Sequence, residues 1–176
     1  STVIGRDCEI GPNAMIRDCV VGEDTTINAS QLNESTIGSH TTVGPFAYVR
    51  PDCTVGDHCR IGDFVELKNS RLDEGTKVSH LTYVGDSDIG KRVNFGCGTV
   101  TTNYNGLKKY RCTVGDDVFL GCNTNLIAPV TIGDGAYTAA GSTVDKDVPA
   151  GALAIARARQ ENKPGWAARF FRAKKK

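Results

Sequence analysis

The sequence predicts an all-β fold, a coil of short parallel strands wound into about eight turns with three flat faces. Three observations carry this. Aliphatic or near-aliphatic residues recur at a step of six, occasionally five: Ile4, Ile10, Ile16, then Val21, Ile27, Leu32, and so on to Ile132, Thr138, Val144. Glycine often follows directly, as at Ile37-Gly38, Ile61-Gly62 and Ile89-Gly90. The regular step breaks widely once, between Thr101 and Val114, where it is thirteen.

A period of six suits neither an amphipathic helix nor an alternating meander. It suits a prism in which each hexad is one short strand. The aliphatic residue points inward and stacks on its equivalent one coil away, so each coil buries its core only against its neighbours. The glycine and the polar residues after it are expected to turn the corner, where positive φ is easiest for Gly, Asn or Asp. The long step marks residues 102–112, "TNYNGLKKYRC", as an inserted loop standing out from the prism. An insertion on so regular a scaffold is a candidate functional element. The β-helix domain is expected over residues 1–148, with residues 149–176 as a C-terminal arm and basic tail. There "DKDVPAGALAIARARQ" reads as a last turn and an extended segment. "NKPGWAARFF" breaks at Pro164 and Gly165 and can restart as a short helix, with Trp166, Phe170 and Phe171 on one apolar face.

Composition narrows the function. A net charge of +1 over 176 residues offers no general attraction to nucleic acid. "RFFRAKKK" at the end is basic, and a solvated tail is its ordinary reading. No apolar run approaches the ~20 residues of a membrane span, and the chain opens in the repeat without a secretory signal. Its first residue, Ser1, suggests that residues upstream are missing. Seven cysteines, an odd number without a C-x-x-C pair, argue against a disulfide scaffold or a zinc ribbon. Reduced thiols in the cytoplasm are expected, acting as small buried hydrophobes.

The stretches "VGPFAYVRP", "GDFVELKNSRL", "SHLTYVGDSDIG", "GTVTTNYNG", "IGDGAYTAAGSTV" and "ALAIARARQ" sharpen the hexad into a resemblance. The chain resembles the hexapeptide-repeat acyltransferases. Among them it is most similar to the C-terminal acetyltransferase domains of the bacterial bifunctional N-acetylglucosamine-1-phosphate uridyltransferase/glucosamine-1-phosphate N-acetyltransferases. The resemblance implies a left-handed β-helix, a homotrimer with active sites between subunits, and acetyl transfer from acetyl-CoA to glucosamine-1-phosphate for UDP-N-acetylglucosamine and cell-wall synthesis. No glycine-rich nucleotide loop is visible, so uridyltransferase activity is not expected of this chain.

Such a transfer needs a base for the amine, cations for the phosphate and a donor for the developing oxyanion. "SHLTYVGD" matches the family's catalytic segment, which implies His80 as general base, acting directly and without a covalent intermediate. Glu66 is a candidate orienter of its imidazole, a surface carboxylate being the alternative. Arg50 and Lys68 are eighteen residues apart, one coil, so they stack on one face at about strand spacing. Two cations so close call for an anion between or beside them, and a sugar phosphate would serve. The resemblance adds Tyr83, Asn94 and Lys109 to the sugar-phosphate site. For acetyl-CoA it implies Cys97, Asn103, Tyr104, Cys122, Ala140 and Arg157, with Asn103 and Tyr104 as a lid pair in the inserted loop. The family commonly has alanine at Cys97 and serine at Cys122. If backbone amides make those contacts the changes are harmless; if the hydroxyl matters, cofactor affinity changes. Two thiols in the groove also predict sensitivity to alkylating reagents.

His40 and His58 are read as structural. A zinc enzyme on the same fold would need three convergent histidines; His40 and His58 stack eighteen apart, but His80 falls twenty-two further on. No metal site is expected. The remaining alternatives are a related amino-sugar acceptor and a non-catalytic trimeric scaffold.

Overall fold

The computed structural model describes residues 1–172, with side chains through residue 169. The chain winds as a left-handed parallel β-helix of about nine turns. Its strands form three sheets, two of eight strands and one of nine, each sheet collecting every third strand in order except at the ninth, which comes one strand sooner. The ninth strand is Leu153–Ala154, which pairs in parallel with Tyr137–Thr138 and closes the last turn beyond Val144. One helix, Trp166–Arg172, follows. The side chains of Phe170 and Phe171 and most of the basic tail lie outside the described residues, so the apolar face expected there has no structural account.

The inward ladder is the one the hexad predicts. From Val21 to Val144 every residue of the aliphatic series is buried, including Thr101 and Thr138. Ile4 and Ile10 depart from it, each about two-fifths exposed, because the first coil has no neighbour on its outer side. A second inward position, two residues before the first, takes small side chains. Ser35, Thr41 and Thr76 stand there, and each hydroxyl donates to a backbone carbonyl of the following coil. Cys19, Cys53, Cys59 and Cys112 occupy the same position and are buried.

The corners differ from expectation. Positive φ falls three residues after the inward aliphatic, or two where the step is five, and it is adopted by Phe46, Phe64, Leu81, His40, His58, Ala29, Glu34 and Arg92 as well as by Asp, Asn and Gly. The glycine directly after the aliphatic serves close approach instead. A Cβ on Gly38 would sit 2.5 Å from the Gly56 carbonyl carbon, and one on Gly62 would sit 2.0 Å from the Ser79 oxygen. At these two positions a larger residue would push the neighbouring coils apart.

The insertion forms a tight hairpin-like excursion: Tyr104 and Lys109 make an antiparallel bridge, and Tyr110 N donates to Asn103 O at 2.8 Å. No helix among the described residues is long and apolar enough to cross a membrane.

Candidate functional site

Two clusters sit on adjacent faces, one on each side of a corner. The first lies on the outward column two residues past the inward ladder of the nine-stranded sheet. Arg60–Asp63 pairs with Lys77–His80, with Asp63 opposite His80. His80 Nδ1 meets Asp63 Oδ1 at 2.9 Å. A carboxylate can only accept, so Nδ1–H donates, and in the neutral ring Nε2 keeps its lone pair. The hydrogen bond from His80 holds the Asp63 carboxyl below the usual aspartate range. Glu66, expected to orient His80, does not. It stands on Glu66–Lys68, a strand of the next sheet, and receives Arg50 Nη1 at 2.9 Å. The seventeen-residue coil between Asp63 and His80 was the overlooked signal.

The same column continues through Cys97, Cys122 and Ala140. Asn94–Phe95 pairs in register with Phe119–Leu120, and Phe119–Leu120 with Tyr137–Thr138. Asn123 N donates to Cys97 O and Gly141 N to Cys122 O, each at 2.8 Å. Arg157 is exposed beyond the last coil, its Cδ 3.8 Å from where a Cβ on Gly141 would stand, beside Ala140. Asn94 lies on the same sheet, in register with Lys77 and Phe119.

The second cluster occupies the adjacent sheet. Leu67 pairs with Val49, and Arg50 N donates to Leu67 O, so Arg50 and Lys68 stack as their spacing predicts. The anions beside them are the protein's own, however: Glu66 for Arg50, and Asp86 for Lys68 at 3.1 Å. Their stacking therefore does not by itself demand a phosphate. Asp86, 4% exposed, is the hub that sequence reasoning missed. Asn69 Nδ2 donates to it at 2.6 Å, and Asn103 Nδ2 donates to its other oxygen. Burial works against the charge on Asp86, but the bonds from Asn69, Lys68 and Asn103 more than offset it and hold the carboxyl below the usual range. Asn103 is thus buried and fixed, also 3.4 Å from the Tyr83 hydroxyl, and anchors the loop where a lid residue was expected. Tyr104 is exposed, its hydroxyl donating to Gly106 O at 2.7 Å. Tyr83 lies over Gly85, where a Cβ would meet its hydroxyl oxygen.

Lys109 brings the insertion to this cluster. Lys68 beside it pushes the Lys109 amine below the usual lysine range. Burial opposes the charge on Lys68, yet hydrogen bonding to Lys109 and Asp86 keeps it raised.

Between the two clusters the corner exposes a column of apolar side chains. Phe46 and Phe64 stack at 5.6 Å, with Leu81 next, and all three are more than half exposed. Elsewhere His40 and His58 stack at 4.8 Å, with His40 Nδ1 2.7 Å from Asp24. Among the described residues no group of three or more His, Cys, Asp or Glu side chains could hold a metal ion. Open hollows of about 340 Å³ beside Arg71 and Asp116, and about 510 Å³ beside Asp18 and Asp52, lie away from both clusters.

The sequence pattern described as bacterial transferase hexapeptide (six repeats) matches residues 34–69 and 111–146. His80, Tyr83 and Asn103 fall between the two matched blocks. The bifunctional protein GlmU of Caldanaerobacter subterraneus subsp. tengcongensis is 56% identical over 165 residues, 94% of this chain and 36% of that protein. GlmU of Brevibacillus brevis is 54% identical over 175 residues, 99% of this chain and 38% of that protein. The chain therefore spans little more than a third of the length of these relatives. Among solved structures, the UDP-N-acetylglucosamine acyltransferase from Campylobacter jejuni superposes with a TM-score of 0.62 at 17% identity, over 95% of this chain and 83% of that one. That likeness bears on the fold.

Proposed function

Because the chain belongs to the hexapeptide-repeat transferases, we propose that it moves an acetyl group from acetyl-CoA to the 2-amino group of glucosamine-1-phosphate. The observation that carries the reading is the outward column Asp63–His80–Cys97–Cys122–Ala140. It sets a tautomerically fixed imidazole at one end of a ladder of small side chains. Such a ladder offers backbone groups and space to an extended thioester arm. Identity above one half to part of GlmU, across nearly this whole chain, supports the acceptor.

In this reading His80 Nε2 takes the proton from the amine as nitrogen attacks the thioester carbonyl. The Nδ1–H bond to Asp63 holds the ring and stabilises the imidazolium that forms. Arg50, Lys68, Lys109 and Tyr83 receive the sugar phosphate. A dianion arriving there favours the charged form of Lys109. Asn94 holds the sugar ring, and Arg157 meets a phosphate of the cofactor. Tyr104, exposed on the inserted loop, is assigned to the cofactor by the resemblance. The exposed column Phe46–Phe64–Leu81 separates the clusters on one chain. A second copy covering that corner would bury it and bring one chain's cations towards another's histidine. A homotrimer with sites between subunits is the assembly this supports. The product feeds UDP-N-acetylglucosamine and peptidoglycan synthesis, and the cytoplasm is its place.

Acetyl-CoA consumption with glucosamine-1-phosphate against glucosamine-6-phosphate tests the reading. Turnover with the 1-phosphate alone is expected. Turnover only with another amino sugar would move the acceptor, and none with any amino sugar would favour a scaffold.

A further inference from the structure

The cysteines divide by their place in the hexad. Cys8, Cys19, Cys53, Cys59 and Cys112 stand two residues before an inward side chain. Burial pushes the thiols of Cys19, Cys53, Cys59 and Cys112 up, the last to about 11. Cys8 is half-buried and donates to Gly22 O at 3.0 Å. Cys97 and Cys122 instead stand two residues after Phe95 and Leu120, on the outward column, with Cys122 exposed and Cys97 half-buried.

These two are rung neighbours. Their strands pair in register, Asn123 N donates to Cys97 O at 2.8 Å, and a Cβ on Gly96 would lie 2.4 Å from Cys122 N. Paired parallel strands lie ~4.8 Å apart, within the ~4.4–6.8 Å between Cα atoms that a disulfide spans. His80 is the next rung beside Cys97, a proton acceptor at hand.

We propose that Cys97 and Cys122 form a paired-thiol modification site, which a low-molecular-weight disulfide of the oxidised-glutathione class converts into a bridge across two coils. Cys122, the more exposed, meets the reagent first. Its thiolate attacks one sulfur of the reagent, breaks the reagent's S–S bond and releases one thiol. Cys97 then gives up its proton, attacks the Cys122 sulfur of the mixed disulfide and releases the second thiol. Two protein thiols are oxidised, and one reagent disulfide is reduced to two thiols. The bridge covers the ladder between His80 and Ala140. Its consequence for acetyl transfer rests on the proposed function; the bond itself does not.

The test treats the full chain with oxidised glutathione, then caps remaining thiols, and reads intact mass and a non-reducing peptide map. The expected result is a chain lighter by two hydrogens before capping, with the peptides of Cys97 and Cys122 joined and the other five cysteines capped. Dithiothreitol should restore the starting mass. Cys97→Ala and Cys122→Ser should each leave a single glutathione adduct at the remaining thiol. Two separate adducts in the wild-type chain, a bridge elsewhere, or no reaction at either residue would overturn the site; the wild-type map alone decides this. CoA release by the bridged protein separates the two readings. Its loss, reversed by dithiothreitol, supports both. A bridged protein with full activity upholds the thiol site and counts against the acyl groove placed over it.

Discussion

Asp63 grips His80 from the preceding coil, Oδ1 to Nδ1 at 2.9 Å, and leaves the other ring nitrogen free to accept a proton. The contact follows from register alone, since Asp63 and His80 are opposite residues of paired parallel strands. Replacing Asp63 with Asn offers Nδ1 an amide that can donate as well as accept, so the wrong tautomer becomes available. A buried carboxylate in this role is worth about 10⁴ in turnover. This pair is about half exposed, and solvent screens it. Asp63→Asn should therefore lower kcat by about 10- to 100-fold, with KM for the amino sugar and the thermal midpoint little changed. Steady-state kinetics beside a melting curve separate a positioning role from a structural one.

Asp86 should matter to stability more than any exposed ion pair. It is almost wholly buried, with Lys68, Asn69 and Asn103 all donating to it. Asp86→Asn keeps the shape and tolerates the φ of 48° but leaves Lys68 without its counter-charge. A loss of about 1–3 kcal/mol is expected, read as a lower melting temperature. The pH dependence has a definite sign. The folded carboxyl is depressed, so its contribution is complete above the unfolded value of ~3.9 and fades as pH falls from there through the folded value. Wild type should lose this margin only in acid, and the Asn variant should lack that part of the acid dependence.

Lys109 should be an unusually reactive amine. Lys68 lowers its pKa, so more of it is free base at a given pH. A limiting amount of an acylating reagent near neutral pH should label Lys109 ahead of other lysines, read by peptide mapping. Glucosamine-1-phosphate should protect it, because a bound dianion favours the charged form. Equal labelling of all exposed lysines would contradict this.

Gly62 holds together the two strands that carry the acid–base pair. A Cβ there would meet the Ser79 backbone oxygen at 2.0 Å. Gly62→Ala should cost at least about 1–3 kcal/mol through overpacking. It should also lower turnover by parting Asp63 from His80, where a glycine-to-alanine change at Gly151, with open space around it, should spare the Asp63–His80 contact.

Much of the architecture was legible because one rule, six residues to a face, fixes the inward ladder from Val21 to Val144. The eighteen-residue spacing likewise placed Arg50 over Lys68. What the spacing could not reveal is which carboxylate meets which base. Outside the insertion, coils here are sixteen to eighteen residues long, according to how many of their steps are five rather than six. That single residue decides whether Asp63 or a neighbour faces His80. Asn103 was misplaced as a lid because the loop's first residue is still tied to the prism, buried against Asp86. The glycines directly after the aliphatic, Gly44 apart, were misread because close packing between coils, not backbone freedom, selects them.

The most direct measurement is the turnover number of His80→Ala with acetyl-CoA and glucosamine-1-phosphate at saturation. If Asp63 holds His80 as the base, the variant folds normally and turns over ~10²–10⁴ times more slowly than the wild type. A folded His80→Ala enzyme working at the wild-type rate would contradict the account.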